Sequence, residues 1–509
     1  MDLHPVVVGV GEISQRPGAD PVLDPLQLMA EAARRAEADS SARRSLLRSV
    51  EVVAVANILS WRHPDPGTAL AQHLGLPDVR TSLLSTISGT SPQFLLNELA
   101  ADVACGRLSV ALVTGCEAMY SRRPGALTSA GRPGDPPGRW AEPVWEGAGP
   151  PATMVGDATP GSGPFEAAHQ AAIPTQVYPL FETALRTAAD RGVQEHQRRV
   201  AELWAEFSEV AASRPEAWSR QRFAPEEILE GPDNRMVTFP YTKRMCANLN
   251  VDQAAAIILC STEAARAAGV PDEAMVHLHA GADAHDHYLI TERWSLAESP
   301  AIAAVTADVL GASGRTVDDV ARFDLYSCFP SAVQVAMDAL GLKGREGGDE
   351  RPLTVTGGLS FHGGPGNNYV AHSVAAMAEA CRADPGSLGL VTGVGWFLTK
   401  HSAGLWSSEP PRVGYRRLDP AATQARVDAT PRREPSGPWA GPATVEATAV
   451  TFDRDGGPVL GVVAALTPDG CRALANCHDP AVLTTMTTEE WAGRHVQLAT
   501  DGTTNTLLP

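Results

Sequence analysis

The segment Val355-Thr-Gly-Gly-Leu-Ser-Phe-His-Gly-Gly-Pro-Gly-Asn-Asn-Tyr369 carries five glycines, one proline and two asparagines. It lies between a β-like run, Leu353 to Val355, and a small-residue helix that begins near Tyr369. Glycine at this density lets backbone N–H groups come close to a ligand and permits positive φ. A loop that feeds a helix N-terminus also presents unpaired amide donors to an anion or a carbonyl. The segment reads as the floor of a binding site, with a ligand-free strand-to-helix turn as the plainer alternative.

Outward from this segment, strands alternate with helices. Before it, Met275 to Ala280 reads as a strand and Pro300 to Leu310 as a helix. Phe323 to Tyr326 is a buried strand running into Cys328-Phe-Pro330, and Ser331 to Leu340 is a helix. After it, Gly389 to Gly395 is a further strand. The start of the chain has a similar order. Pro5 to Gly11 is a Val-rich strand, Asp24 to Ala38 an amphipathic helix with Leu26, Leu28 and Met29 on its apolar side, and Val50 to Ile58 a second strand. Thr81 to Ser85 breaks at Ile87-Ser-Gly-Thr-Ser-Pro92 into a helix ending near Cys105, and Leu108 to Gly115 is a fourth strand. A strand through Cys260 then enters the helix Ser261 to Ala268. This rhythm predicts an α/β core with parallel pairing, built from two similar halves.

Two stretches depart from it. Tyr120 to about Gly163 is rich in Pro, Gly, Arg and Trp, the mark of a functional or mobile excursion. Phe165 to Ala212 is helical by periodicity, with the charged run Glu195 to Glu202 as its solvated face. From Glu409 the composition shifts again. Val445 to Phe452 and Val459 to Leu466 flank Asp453-Arg-Asp-Gly-Gly-Pro458, a hairpin signal, and Arg494 to Leu498 alternates as another strand. Residues 409–509 read as a separate small β-rich, OB-like domain.

At 509 residues, 44% hydrophobic and 20% charged, the chain can hold two or three domains around a large core. A net charge of −18 speaks against a nucleic-acid or anionic-membrane footprint. An OB-like domain raises single-stranded nucleic acid as a ligand, but Trp439, Phe452 and Trp491 lie in an acidic setting rather than a basic groove. Eight cysteines without CxxC spacing fit buried thiols in a reducing cytoplasm, and neither they nor the histidines show metal-ligand spacing. The expectation is a cytoplasmic protein with no signal peptide, membrane span, metal or redox cofactor.

Five motifs together resemble the thiolase superfamily, closest to the sterol-carrier-protein-like thiolases and actinobacterial thiolase-like proteins with an extra C-terminal domain. They are Ser85-Thr-Ile-Ser-Gly-Thr-Ser91, Gly115-Cys-Glu-Ala-Met119, Asn250-Val-Asp-Gln-Ala-Ala255, Asp324-Leu-Tyr-Ser-Cys-Phe329 and the glycine segment. The resemblance covers residues 3 to 405. It implies a duplicated αβαβα sandwich of two five-stranded halves, 1–119 with 246–274 and 275–408, with a loop domain over 120–245 above the substrate. It also implies chemistry on acyl-CoA thioesters, hence lipid metabolism, through a cysteine nucleophile, a histidine and a second cysteine. A homodimer or a thiolase-family partner would be in keeping.

The catalytic set that the resemblance implies is absent. The nucleophile's Cys-x-Ser-Gly elbow falls on Thr86-Ile87-Ser88-Gly89, and Gly-His-Pro falls on Gly363-Gly364-Pro365. The Asn-Glu-Ala-Phe element falls on Tyr326 to Phe329, and the second cysteine on Val391 or Thr392. A threonine hydroxyl needs a strong adjacent base, so ordinary thiolase turnover is not expected. Thr86, Cys328, His362 and His401 are the remaining catalytic candidates, each with a structural alternative: helix cap, small buried hydrophobe, loop histidine, inter-domain contact. Ser88, Gly89, Gly357, Gly358, Gly363, Gly364, Gly366 and Asn367 are the candidate substrate-binding positions, able to shape a pantetheine-wide tunnel. Two functions stay open: an acyltransferase acting on an acyl-CoA or carrier-bound thioester with altered residues, or a non-catalytic thioester-binding or partner protein.

Overall fold

Every residue of the strand Asp252–Ser261 is buried, and its side chains sort into two cores by parity. Ala255, Ile257 and Leu259 join the inner core, whereas Ala254, Ala256, Ile258 and Cys260 join an outer one. A strand covered on both faces reads as a continuous apolar run, which is why it stands out in the sequence. The computed structural model describes residues 3–122 and 151–508. The middle of the excursion, 123–150, lies outside the described residues.

In chain order the first half supplies β1 (Pro5–Ser14), β2 (Val52–Val55), β3 (Thr81–Ser85) and β4 (Val110–Ala118). The intervening segment gives β5 (Thr153–Val155), β6 (Met236–Phe239) and β7 (Tyr241–Thr242), and β8 (Asp252–Ser261) completes the half. The second half contains β9 (Val276–His285), β10 (Val320–Asp324), β11 (Leu388–Gly395), β12 (Lys400–Ser407) and the short β13 (Arg416–Arg417). The order β3-β2-β4-β8-β1 in the first half is repeated as β10-β11-β12-β9 in the second, with the same parallel and antiparallel pairings. One strand is missing from the copy. Residues 353–355, expected to be β-like, form no regular strand, yet Phe323 and Leu325 N–H still donate to the carbonyls of Pro352 and Leu353. The expected second five-stranded half is therefore four strands in the sheet order with an irregular edge, the short β13 lying off that order beside β9. β1 and β9 pair at Val6 and Val7, fusing the two halves into one sheet.

Two helices, Ser91–Ala104 and Tyr369–Ala383, pack against strands of both halves and against each other. Leu95, Leu96 and Leu99 from the first join Val370, Val374 and Met377 from the second in the inner core. Helix Pro25–Asp39 covers the outer core, opened by Asp24 in a capping box with Gln27. The region read as one helical stretch, 165–212, is three helices, Pro164–Ala168, Pro174–Ala188 and Val193–Ser213. None of the described helices is long and apolar enough to cross a membrane.

The C-terminal strands β14 (Gly441–Phe452), β15 (Pro458–Leu466), β16 (Arg472–Cys477), β17 (His495–Thr500) and β18 (Asn505–Leu507) close a barrel in the order β14-β15-β16-β18-β17. The expected hairpin at Asp453–Pro458 joins β14 to β15. This is the small β-rich domain, and β6 of the intervening segment extends it by pairing with β14. Between residue 409 and the barrel, β13 pairs with β9, and helix Pro420–Asp428 packs on β9 and on helix Pro300–Ala312.

Candidate functional site

β3 ends at Ser85, and the chain turns through Thr86 to Thr90 into helix Ser91–Ala104, with Pro92 in its first turn. Hydroxyls fill this turn. Ser85 Oγ donates to Ser91 Oγ (2.8 Å), Ser91 Oγ also lies 2.6 Å from Ser88 O, and Ser88 Oγ pairs with Thr90 Oγ1 (2.7 Å). Thr86 itself is capped from outside. β5 adds to the edge of β3 in parallel register, Leu83 opposite Thr153, and its continuation crosses Thr86. Thr86 N–H donates to Val155 O (2.9 Å) and Thr86 Oγ1 to Asp157 O (3.0 Å). Both donors of the residue in the nucleophile's place are thus occupied by backbone carbonyls.

A cavity of about 350 Å³ opens beside this turn. Thr86, Phe94, Asp157, Ala284, Lys400 and Gln424 are among the residues that line it. Lys400 Nζ reaches Asp157 O and lies 3.2 Å from its carboxylate, and Tyr288 hydroxyl donates to the same carboxylate (2.7 Å). Burial would raise the Asp157 carboxyl, but hydrogen bonds from Thr159 and Tyr288 and the Lys400 charge hold it at about 2. Burial lowers the Lys400 ammonium from its ordinary value, against the pull of Asp157. The His285 ring stacks on Tyr288 at 4.2 Å, and Gln424 closes the far side by bonding both the N–H and the carbonyl of His285.

Of the four catalytic candidates, Thr86 and His401 both line this cavity without a hydrogen bond between them, and Cys328 and His362 are not among its lining residues. His401 Nε2 faces Ser299 Oγ (3.1 Å), Leu398 O (3.1 Å) and Asp286 (3.5 Å). This is no catalytic triad. Ser299 Oγ donates to Asp286 while capping helix Pro300–Ala312, and all three groups meet at one ring nitrogen. Cys328 is buried beside Tyr178, and burial pushes its thiol up to about 12, the reverse of a reactive thiolate. His362 is fully buried and faces Glu12 (3.5 Å) and the His372 ring (5.1 Å between centroids). Among the described residues, Thr86 has no hydrogen bond with Cys328, His362 or His401.

The glycine segment lies next to the turn, one side chain removed. Asn367 Nδ2 donates to Asn57 O (2.8 Å), and Asn57 N–H and Nδ2 bond Ser85. Its glycines, however, face protein. A Cβ at Gly357 (φ +98°) would stand 2.4 Å from Ala211 Cβ, and one at Gly358 would stand 2.6 Å from Phe207 Cδ1. At Gly363 it would meet Gln253, and at Gly366 Glu117; Gly364 N–H donates to Asn248 O. A Cβ at Gly89 would meet Tyr326 hydroxyl at 2.3 Å, and one at Gly395 would meet Ser88 Oγ. Tyr326, at the position of the family's asparagine, fills the space beside the turn. Tyr178 stacks on Phe329 (4.5 Å), closing it from the helical segment. Val391 is buried, and Thr392 Oγ1 accepts from Tyr326 N–H (3.0 Å).

Sequence reasoning missed Lys400 and Asp157. The first stands next to His401, which its imidazole made conspicuous; both line the cavity, and it is Lys400 that bonds Asp157 there. The second lies in the excursion, where nothing signalled an added strand. It also assigned no metal site, but Glu12, His362 and His372 bring three donor atoms within 4.8 Å of one another and could hold an ion.

The model of the "Thiolase-like protein type 1 additional C-terminal domain" family matches residues 422–503. A monomeric SCP2-thiolase-like protein type 1 from Mycobacterium smegmatis is similar over 100% of this chain and 99% of its own, with TM-score 0.83 and 29% identity. The Ascaris suum thiolase Acat5 in complex with coenzyme A is similar over 79% of this chain and 99% of its own (TM-score 0.55, 15% identity). The Ltp2–ChsH2(DUF35) aldolase covers 80% and 98% (TM-score 0.59, 17% identity). A search of curated proteins finds no match. Two like halves joined in one sheet, with a strand–turn–helix at Ser85–Ser91, define a thiolase-like scaffold. With residues 422–503 matched as well, the fold and the comparisons support a thiolase-like protein with an additional C-terminal domain.

Proposed function

We propose that this protein binds the acyl part of a thioester, or the corresponding acid, in the cavity beside Thr86 without forming an acyl-enzyme. The observation that carries this reading is the double occupation of Thr86 by the carbonyls of Val155 and Asp157. A nucleophile needs a base within hydrogen-bond reach, and the hydroxyl here donates to an amide oxygen instead. The cavity falls in the range that holds small ligands, with apolar walls from Phe94 and Ala284 and a polar end at Lys400. Coenzyme A, which the Ascaris suum thiolase holds, is the carrier to test first. One observation favours the second reading, an acyltransferase with altered residues: burial lowers Lys400, and Asp157 links it to Thr86.

Intact-mass spectrometry and calorimetry with acetyl-, hexanoyl- and palmitoyl-CoA separate the two. The expected result is saturable binding with no mass increment, and loss of binding in Ala284→Phe, which fills the cavity. Thr86→Val should leave binding in place and cost about 1 kcal/mol of stability, the worth of one hydrogen bond. A covalent acyl adduct that disappears in Thr86→Val would overturn the binding reading in favour of the enzyme.

A further inference from the structure

We infer that Glu12, His362 and His372 form a binding site for a divalent transition-metal ion, independent of the Thr86 cavity. Glu12 comes from β1, His362 from the glycine segment and His372 from the helix Tyr369–Ala383 that follows it. Glu12 Oε1 lies 2.7 Å from His372 Nδ1 and 3.5 Å from His362 Nε2. Ligands at about 2.0–2.2 Å from one ion stand about 3.0–3.5 Å apart, and the three donor atoms here lie within 4.8 Å of one another, so side-chain shifts of up to about an ångström would centre an ion among them.

A second observation points the same way. Both ring nitrogens of His362 lack a hydrogen-bond partner, as does Nε2 of His372, and both residues are 0% exposed. Buried polar atoms are almost always satisfied. An ion gives His362 Nε2 a partner that no protein group supplies.

The surroundings leave room for positive charge. Glu12 Oε2 is held by Arg214 (3.0 Å), which also meets Glu216 (3.5 Å) and Glu379 (2.6 Å), so one guanidinium faces three carboxylates. Arg16, close to Glu216, bonds the carbonyls of Pro215, Ala217 and Trp218 and holds the loop that covers the site. Glu12, Glu216 and Glu379 against Arg214 and Arg16 leave these side chains with an excess of negative charge. Two histidines and a carboxylate suit zinc or ferrous iron better than the hard ions magnesium and calcium. All donors are buried, so the ion's role is structural, pinning β1, the glycine segment and its helix together.

The purified full chain is loaded with Zn²⁺ or, anaerobically, Fe²⁺, cleared with a weak chelator and measured by plasma mass spectrometry. About one ion per chain is expected, with a higher melting temperature when loaded than when stripped. Co²⁺ should give visible ligand-field bands that are absent from folded His372→Gln and Glu12→Gln. Circular dichroism checks folding. If neither variant folds, hyperfine-shifted imidazole NMR signals in the Co²⁺-loaded wild type decide. Retention below about a tenth of an ion per chain for all three metals, or undiminished retention in a folded variant, overturns the site.

Discussion

Replacing Arg472 with alanine is expected to destabilise the junction of barrel and core by about 3–5 kcal/mol. Arg472 opens β16 and is 0% exposed. Its guanidinium forks onto Glu446 of β14 (2.6 and 2.7 Å) and caps three carbonyls of the core: Ile290 (2.8 Å), Arg293 and Trp294 (3.3 Å). Alanine would leave a half-buried carboxylate and three inward carbonyls without their donor, and each orphaned group has its own desolvation cost. Arg472→Lys should recover only part of the loss, since an ammonium cannot fork onto the carboxylate and span the carbonyls as well. Glu446→Leu with Arg472→Met should fare better than Arg472→Ala alone, because a buried pair replaced by well-packed apolar groups is often neutral. Urea unfolding followed by tryptophan fluorescence reads this out, Trp439 and Trp491 packing in the barrel core. A loss under about 1 kcal/mol for Arg472→Ala would mean that the barrel is held elsewhere, at the β6–β14 pairing and Thr183.

That junction shows which parts of the molecule local sequence could and could not reveal. β8 announces itself because both faces are buried, and the Asp453–Pro458 hairpin because its turn chemistry is local. β12 is just as buried, but Lys400-His-Ser-Ala-Gly-Leu-Trp-Ser407 mixes polar and small residues and shows no period. Its Lys400 is tied to Asp157, more than two hundred residues earlier, and only the fold places the two together. β5 was hidden for a similar reason. Three exposed or half-exposed residues after a Pro/Gly-rich stretch carry no burial signal, yet the carbonyl of Val155, with that of Asp157 just beyond, caps Thr86. The glycine segment reads as a place where backbone comes close to a ligand. What approaches is protein: Ala211, Phe207, Gln253 and Glu117. Sequence can show that a Cβ is forbidden at such a position, but not whether ligand or protein forbids it.

Glu117, directly under Gly366, gives the second large effect, one that depends on pH. The residue is 1% exposed and accepts the N–H groups of Leu59 and Ser60 (2.8 Å each). Burial raises its carboxyl from 4.5 to about 7, outweighing those hydrogen bonds, the Ser60 side chain and the Arg122 charge. A carboxyl raised in the folded state binds its proton more tightly there than in the unfolded chain. Its contribution is therefore complete below about pH 4.5 and is lost as pH rises through 7. Between pH 5 and pH 8 the wild type should lose about 2.5 kcal/mol on this account. Glu117→Gln removes the titration and should flatten that part of the profile. It should also lower stability at pH 5, because a carboxamide oxygen cannot serve both amides and its NH₂ would face one of them. Urea denaturation of both proteins at half-unit steps from pH 5 to 8 tests this, with the difference between the two curves as the readout. A difference that stays constant across the range would mean that Glu117 is ionised throughout and that the N–H groups of Leu59 and Ser60 fully offset its burial.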